Sequence, residues 1–106
     1  MLYFSNREPV SISGALFVGR NPAATPQLAG AGMLAISDPE KTLSKTHALL
    51  EVEGDTLFVT DLHSTNGVII LLSDDSERLV EDGIRTAVPA GSTIEFGTYP
   101  IRVERL

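Results

Sequence analysis

The sequence predicts an all-β fold, a sandwich or a barrel. A succession of short segments is apolar or alternates apolar with polar residues, and these segments are rich in β-branched and aromatic side chains. Gly, Pro, Asp and Ser cluster between them as turn chemistry. No stretch carries a helical period of convincing length.

In chain order, Leu2–Ser5 and Ala15–Gly19 read as the first two strands. Asn21–Gly32 is rich in Ala, Gly and Pro and does not fit a sheet. Pro22 and Pro26 bracket its start, so it is read as a loop, with a turn of helix near Pro26–Ala29 as the alternative. Met33–Ile36 follows as a strand. His47–Glu53 and Thr56–Asp61 flank Glu53-Gly54-Asp55 and form the clearest hairpin. Leu50 and Val52 alternate there with Glu51 and Glu53, giving one buried and one wet face. Val68–Leu72 leads to a polar hairpin tip at Asp74-Asp75-Ser76. Asp82-Gly83, Pro89-Ala90-Gly91 and Phe96-Gly97-Thr98 mark the turns around the strands Thr86–Val88, Thr93–Phe96 and Tyr99–Glu104.

The chain has 106 residues, which is expected to make one domain over 1–106. It has no cysteine, which excludes a disulfide scaffold, a thiolate metal site and a cysteine nucleophile. No apolar run approaches the roughly 18–20 residues of a membrane helix. Met1–Ser5 lacks a basic region followed by an apolar core, so no signal peptide is expected and a cytoplasmic location is. The net charge is −6, and it is uneven. Residues 1–47 hold four basic and three acidic groups, whereas residues 48–106 hold four basic and eleven acidic ones. Such a balance argues against nucleic acid as a partner, since that binding depends on neutralising many phosphates. It leaves room for a single anion near the almost neutral first half.

Three clusters lie where strands should end: Gly19-Arg20, Ser44-Lys45-Thr46-His47, and Asp61-Leu62-His63-Ser64-Thr65-Asn66-Gly67. Arg20 offers a planar fork of donors suited to phosphate. Ser44 supplies a hydroxyl and Lys45 a point charge, while Thr65 and Asn66 add hydrogen-bonding groups and Gly67 allows positive φ. None is a strong base or nucleophile, so the set suits recognition of an anion on a peptide.

In this order and spacing, Gly19-Arg20, Ser44-x-x-His47 and Asp61-Leu-x-Ser-Thr-Asn-Gly67 resemble the signature of the forkhead-associated (FHA) domain family. The stretch Val88–Gly97 is similar to that family's late strand pair, so the likeness spans nearly the whole chain. The resemblance implies an eleven-stranded β-sandwich that binds phosphothreonine peptides through loops at one end. It implies that Arg20 and Ser44 contact the phosphate, that Lys45 meets a second phosphate or the peptide, that Thr65 helps form the phosphothreonine pocket and that Asn66 bonds the peptide main chain. His47 is implied to support the loops from within, and Gly19 and Gly67 to be structural. The implied partners are a threonine-phosphorylated protein and, upstream, a Ser/Thr kinase, with no cofactor.

The sequence departs from the family pattern at four places. The Arg20–Ser44 interval is long, His63 stands where glycine is common, Val68 replaces a usual threonine, and Leu71–Glu81 lengthens a hairpin. The first and last of these departures support phosphate-independent association through an FHA-like fold as the alternative function. Ser44, His47 and Asp61 have the residue types of a hydrolase triad, but no nucleophile-elbow glycines flank the serine, and no catalytic residue is expected. His47, His63 and Asp61 match no familiar metal-ligand spacing. The Ala/Gly loop lacks the Gly-Lys-Ser/Thr ending of a nucleotide-phosphate loop. The acidic tip Asp74–Glu77 reads as a solvated hairpin end.

Overall fold

A computed structural model describes residues 1–4 and 7–104. Its strands are β1 (Leu2–Tyr3), β2 (Ala15–Gly19), β3 (Gly32–Ala35), β4 (Ala48–Glu53), β5 (Thr56–Asp61), β6 (Val68–Leu71), β7 (Glu77–Leu79), β8 (Thr86–Val88), β9 (Thr93–Phe96) and β10 (Tyr99–Val103). They form two five-stranded sheets, ordered β1-β10-β9-β6-β7 and β3-β2-β4-β5-β8. The expected sandwich is therefore present, with ten strands among the described residues where the resemblance implied eleven. The end of the expected first strand, Ser5, lies outside the described residues.

Alternation builds the core. Leu57 and Val59 of β5, Leu50 of β4 and Val18 of β2 pack against Val68 and Ile70 of β6, Ile94 and Phe96 of β9, and Ile101 and Val103 of β10. Most of these are fully buried, and each such side chain contributes about 1.5–3 kcal/mol by leaving water.

Two sequence expectations need correction. The first concerns the segment read as a loop, which contains one turn of 3-10 helix at Pro26–Leu28 with proline at its start. The long connection has a topological cause. β3 runs parallel to β2, and a parallel neighbour requires the chain to cross back to the same end of the sheet. Arg20–Ala31 makes that return. The second concerns the lengthened hairpin, which holds a strand that periodicity did not mark. Glu77-Arg78-Leu79 is exposed throughout and has no alternation to detect. It is a strand because the Asp74–Ser76 tip folds it back onto β6, in register Ile69↔Leu79, Ile70↔Arg78 and Leu71↔Glu77.

Candidate functional site

The three clusters converge at one end of the sandwich. β2 ends at Gly19, and the segment after it runs beside the Ser44–Lys45 backbone. Arg20 N–H donates to Ser44 O and Asn21 N–H to Lys45 O, both at 3.0 Å. The approach is so close that a Cβ on Gly19 would lie 2.2 Å from the Lys45 carbonyl oxygen. No residue but glycine fits there, and that contact fixes where Arg20 leaves the sheet.

His47 is fully buried between two loops. Its Nδ1 accepts the Ser44 N–H at 3.0 Å, and its Nε2 lies 2.8 Å from the Gly67 carbonyl oxygen. An acceptor at Nδ1 and a carbonyl at Nε2 require the neutral ring with its proton on Nε2. Phe96 meets the ring edge-on, with centroids 5.7 Å apart. Burial lowers the His47 pKa below the ordinary histidine value, outweighing the Gly67 carbonyl and the more distant Asp61 and Asp38 charges. With both nitrogens committed to backbone groups, the ring has none left for the Ser44 hydroxyl. A Ser–His relay is not assembled.

The Ser44 Oγ accepts the Thr65 N–H at 2.9 Å, which leaves its hydroxyl proton free to point outward. Asn66 Nδ2 donates to Thr42 O at 2.8 Å, leaving Oδ1 as an acceptor. Gly67 has φ +78°, which suits glycine, and its N–H donates to Ser64 Oγ. His63 takes φ +57°, a left-handed conformation, as the glycine expectation at that position implied. Its N–H donates to Asp82 Oδ1 at 2.7 Å, and its Nδ1 bonds the other oxygen of the same carboxylate.

Arg20, Asp38, Lys41, Thr42, Leu43, Ser44, Thr65 and Asn66 line an open cavity of about 590 Å³. Lys45 is exposed and does not line it. Lys41 and Asp38, which motif reading did not single out, do. Asp38 starts a tight loop in which its carboxylate accepts the N–H groups of Glu40, Thr42 and Leu43, the last two at 2.6 and 2.8 Å. Partial burial pulls its pKa up, but the three N–H donors prevail and hold it below the usual value. That clamp keeps Lys41 at φ +57° on the cavity wall. The sequence signal was Asp38-Pro39, a turn starter, but only three-dimensional closure shows which side chain it aims.

Arg85 pairs with Glu51 and Glu53 and stacks on Phe58, and Arg102 pairs with Glu104. Among the described residues, Arg7, Arg20, Lys41, Lys45 and Arg78 make no ion pair, and of these Arg20 and Lys41 line the cavity. Nor does any group of three or more His, Asp and Glu there stand close enough to hold a metal. No helix in that range is long and apolar enough to cross a membrane.

Comparison with known proteins agrees with this arrangement. The chain superimposes on the FHA domain of human APLF, solved with an XRCC1 bisphospho peptide, with a TM-score of 0.73, 21% identity and coverage of 99% of this chain and 96% of that one. It is similar to the FHA domain of CT664 from Chlamydia trachomatis, with a TM-score of 0.65, 22% identity and coverage of 92% and 82%. An FHA domain studied for phosphothreonine-dependent interactions gives 0.61, 20% identity and coverage of 99% and 96%. No curated protein matches by sequence. The family model for the FHA domain matches residues 16–97, which takes in all three loops and the strands from β2 to β9. With Gly19-Arg20, Ser44-x-x-His47 and Ser64-Thr65-Asn66-Gly67 folded around one cavity, the chain belongs to the FHA domain family.

Proposed function

We propose that residues 1–106 act as a single phosphothreonine-dependent interaction module, binding a threonine-phosphorylated peptide in the cavity beside Arg20. One observation carries this reading. An unpaired guanidinium and a Ser44 hydroxyl whose proton is not committed to a protein acceptor share a cavity in a protein whose net charge is −6. In the cavity Arg20 and Lys41 outnumber the one carboxylate, Asp38, whose oxygens are already taken by backbone N–H groups, and that excess suits a local anion. Charge-assisted bonds from Arg20 and Ser44 hold the phosphate dianion. Leu43 is the apolar wall against which a threonine methyl packs. The Thr65 loop closes the pocket, and Asn66 Oδ1 accepts a peptide N–H. Lys41 adds a second charge on the wall, and Lys45, outside the cavity, is left for the peptide beyond the phosphothreonine. A Ser/Thr kinase then acts upstream, in the cytoplasm.

The test is titration with three versions of one peptide, carrying threonine, phosphothreonine or glutamate. Only the phosphothreonine peptide should bind well, because a carboxylate is planar and singly charged. Arg20→Ala should weaken binding about 10–150-fold, the cost of one charged hydrogen bond, with the melting temperature unchanged. Equal binding of the glutamate peptide would establish phosphate-independent association instead.

A further inference from the structure

β6 is apolar on both faces. Val68 and Ile70 are fully buried in the core, while Ile69 and Leu71 point the other way and remain partly exposed. On that outer face the register sets Ile69 beside Leu79 of β7 on one side and Glu95 of β9 on the other. Leu71 sits likewise between Glu77 and Thr93. Ile69, Leu71 and Leu79 thus form one apolar corner bracketed by Glu77 and Glu95. Leu79 is 71% exposed, the highest value among the large apolar residues described. A sheet face that only meets water has no need of this trio.

The corner adjoins an open edge. β7 is the last strand of its sheet. Leu72 N–H bonds Ser76 O and Val80 N–H bonds Val68 O, so the even-numbered residues of this hairpin exchange its bonds. By alternation the N–H and C=O groups of Glu77 and Leu79 face away from β6. They offer two rungs of a ladder to an added strand. Charge selects the occupant. Asp74, Asp75, Glu77 and Glu81 flank the edge in sequence, against Arg78 alone, while Asp82 is turned to His63. A second copy of this chain would bring the same acidic edge to its own and be repelled. A strand added beside Glu77 and Leu79 sets one side chain against a carboxylate and the next on that face against an apolar one.

We propose that the free edge of β7 and the outer face beside it dock an extended partner segment bearing a Lys or Arg and an apolar residue two positions apart. This surface is built from residues other than those of the cavity and takes a ligand without phosphate.

The test uses the whole chain, isotope-labelled, with three synthetic eight-residue probes, each two copies of a four-residue unit: Lys-Thr-Val-Thr (the Lys–Val probe), Lys-Thr-Ser-Thr (the Lys–Ser probe) and Glu-Thr-Val-Thr (the Glu–Val probe), which set residues 1 and 3 of the unit on one face. The Lys–Val probe should shift the amides of 77–79 and 69–71 and leave those of Ser44, Thr65 and Asn66 unmoved. A saturating phosphothreonine peptide should not displace it. Leu79→Ser should weaken its binding about tenfold, the loss expected from one partly buried leucine, and Glu77→Lys should weaken it similarly. Both positions are exposed, so both variants should melt with the native protein. Equal binding of the Lys–Ser probe would reduce the effect to bulk charge and overturn the proposal. So would shifts confined to the cavity, or no binding by any probe. Self-association in sedimentation that Leu79→Ser abolishes would name a second copy as the occupant and also overturn it.

Discussion

Beside Arg20, two loops build the cavity, and they are held in different ways. The first, 38–47, combines closure by its own groups with ties to 20–23 and to Thr98 outside the second loop. Asp38 gathers three N–H groups of the same loop, and His47 returns to Ser44. The second, 61–67, has local bonds at Ser64, but its tip is tied by groups from elsewhere. Ser44 Oγ takes the Thr65 N–H, Thr42 O takes the Asn66 amide, His47 takes the Gly67 carbonyl and Asp82 takes both ends of His63. Each loop contains a non-glycine residue at φ +57°, Lys41 and His63, and each such residue is fixed by an aspartate. The difference teaches that the first loop is the template and the second is cast against it. Damage to the first should reach the second, and damage to the second should stay local.

The strongest way to break this relation is His47→Ala. It leaves a cavity and strands two buried backbone groups, the Ser44 N–H and the Gly67 carbonyl. Each stranded group costs about 1–3 kcal/mol, with more for the void. A loss of roughly 3–5 kcal/mol is expected in denaturant unfolding, together with weakened phosphopeptide binding. A variant of native stability would show that the two loops hold without their bridge. Ser44→Ala should divide these effects, weakening binding while the melting temperature barely changes.

Acid should act through the same bridge. His47 has a lower pKa folded than unfolded, so below the ordinary value of about 6.5 the unfolded chain takes up the proton first. Its share of stability is complete above that pH and is lost as pH falls toward the folded value. Phosphothreonine also loses its second charge near pH 6, so binding and stability should decline together below neutrality. Denaturant midpoints measured from pH 7.5 to 5 test the first decline, and affinity at each pH where the fold persists tests the second. A flat affinity with the fold intact would mean that the dianion is not what is recognised.

A smaller effect separates the two lysines of the first loop. Lys41 lines the cavity and Lys45 does not. A partly desolvated charge contact contributes about 1 kcal/mol or more, and a screened one much less. Lys41→Ala should therefore weaken phosphopeptide binding about fivefold, and Lys45→Ala less than twofold at 0.15 M salt. The reverse order would move the peptide to the other side of Ser44.

How far this site was legible follows from the same contrast. Arg20, Ser44, His47, Thr65 and Asn66 stood out because each belongs to a short ordered motif. Lys41 and Asp38 did not, because their role comes from an Asx closure that aims a side chain across a cavity. The core strands were legible because burial on one face forces alternation, as at Leu57 and Val59. β7 was not, since Glu77-Arg78-Leu79 buries nothing and is a strand only by pairing. Gly19 was marked by resemblance, while its physical reason, the Lys45 carbonyl beneath it, exists only in the fold.

The smallest expected effect is the sharpest test of the second loop. His63 is mostly exposed, and its left-handed backbone costs a residue with a Cβ about 1 kcal/mol relative to glycine. Its side-chain bond to Asp82 is an exposed pair, worth roughly 0–1 kcal/mol. His63→Ala loses the pair and keeps the strain, so it should be slightly destabilised. His63→Gly loses the pair and the strain together, so it should lie near the native protein and about 1 kcal/mol above the alanine variant. Neither should disturb the Ser44 or Asn66 amide resonances, because the bonds that place those residues run to the first loop. Equal stability of the two variants would mean that the left-handed turn is not maintained in solution. Shifted Ser44 resonances would mean that the second loop templates the first.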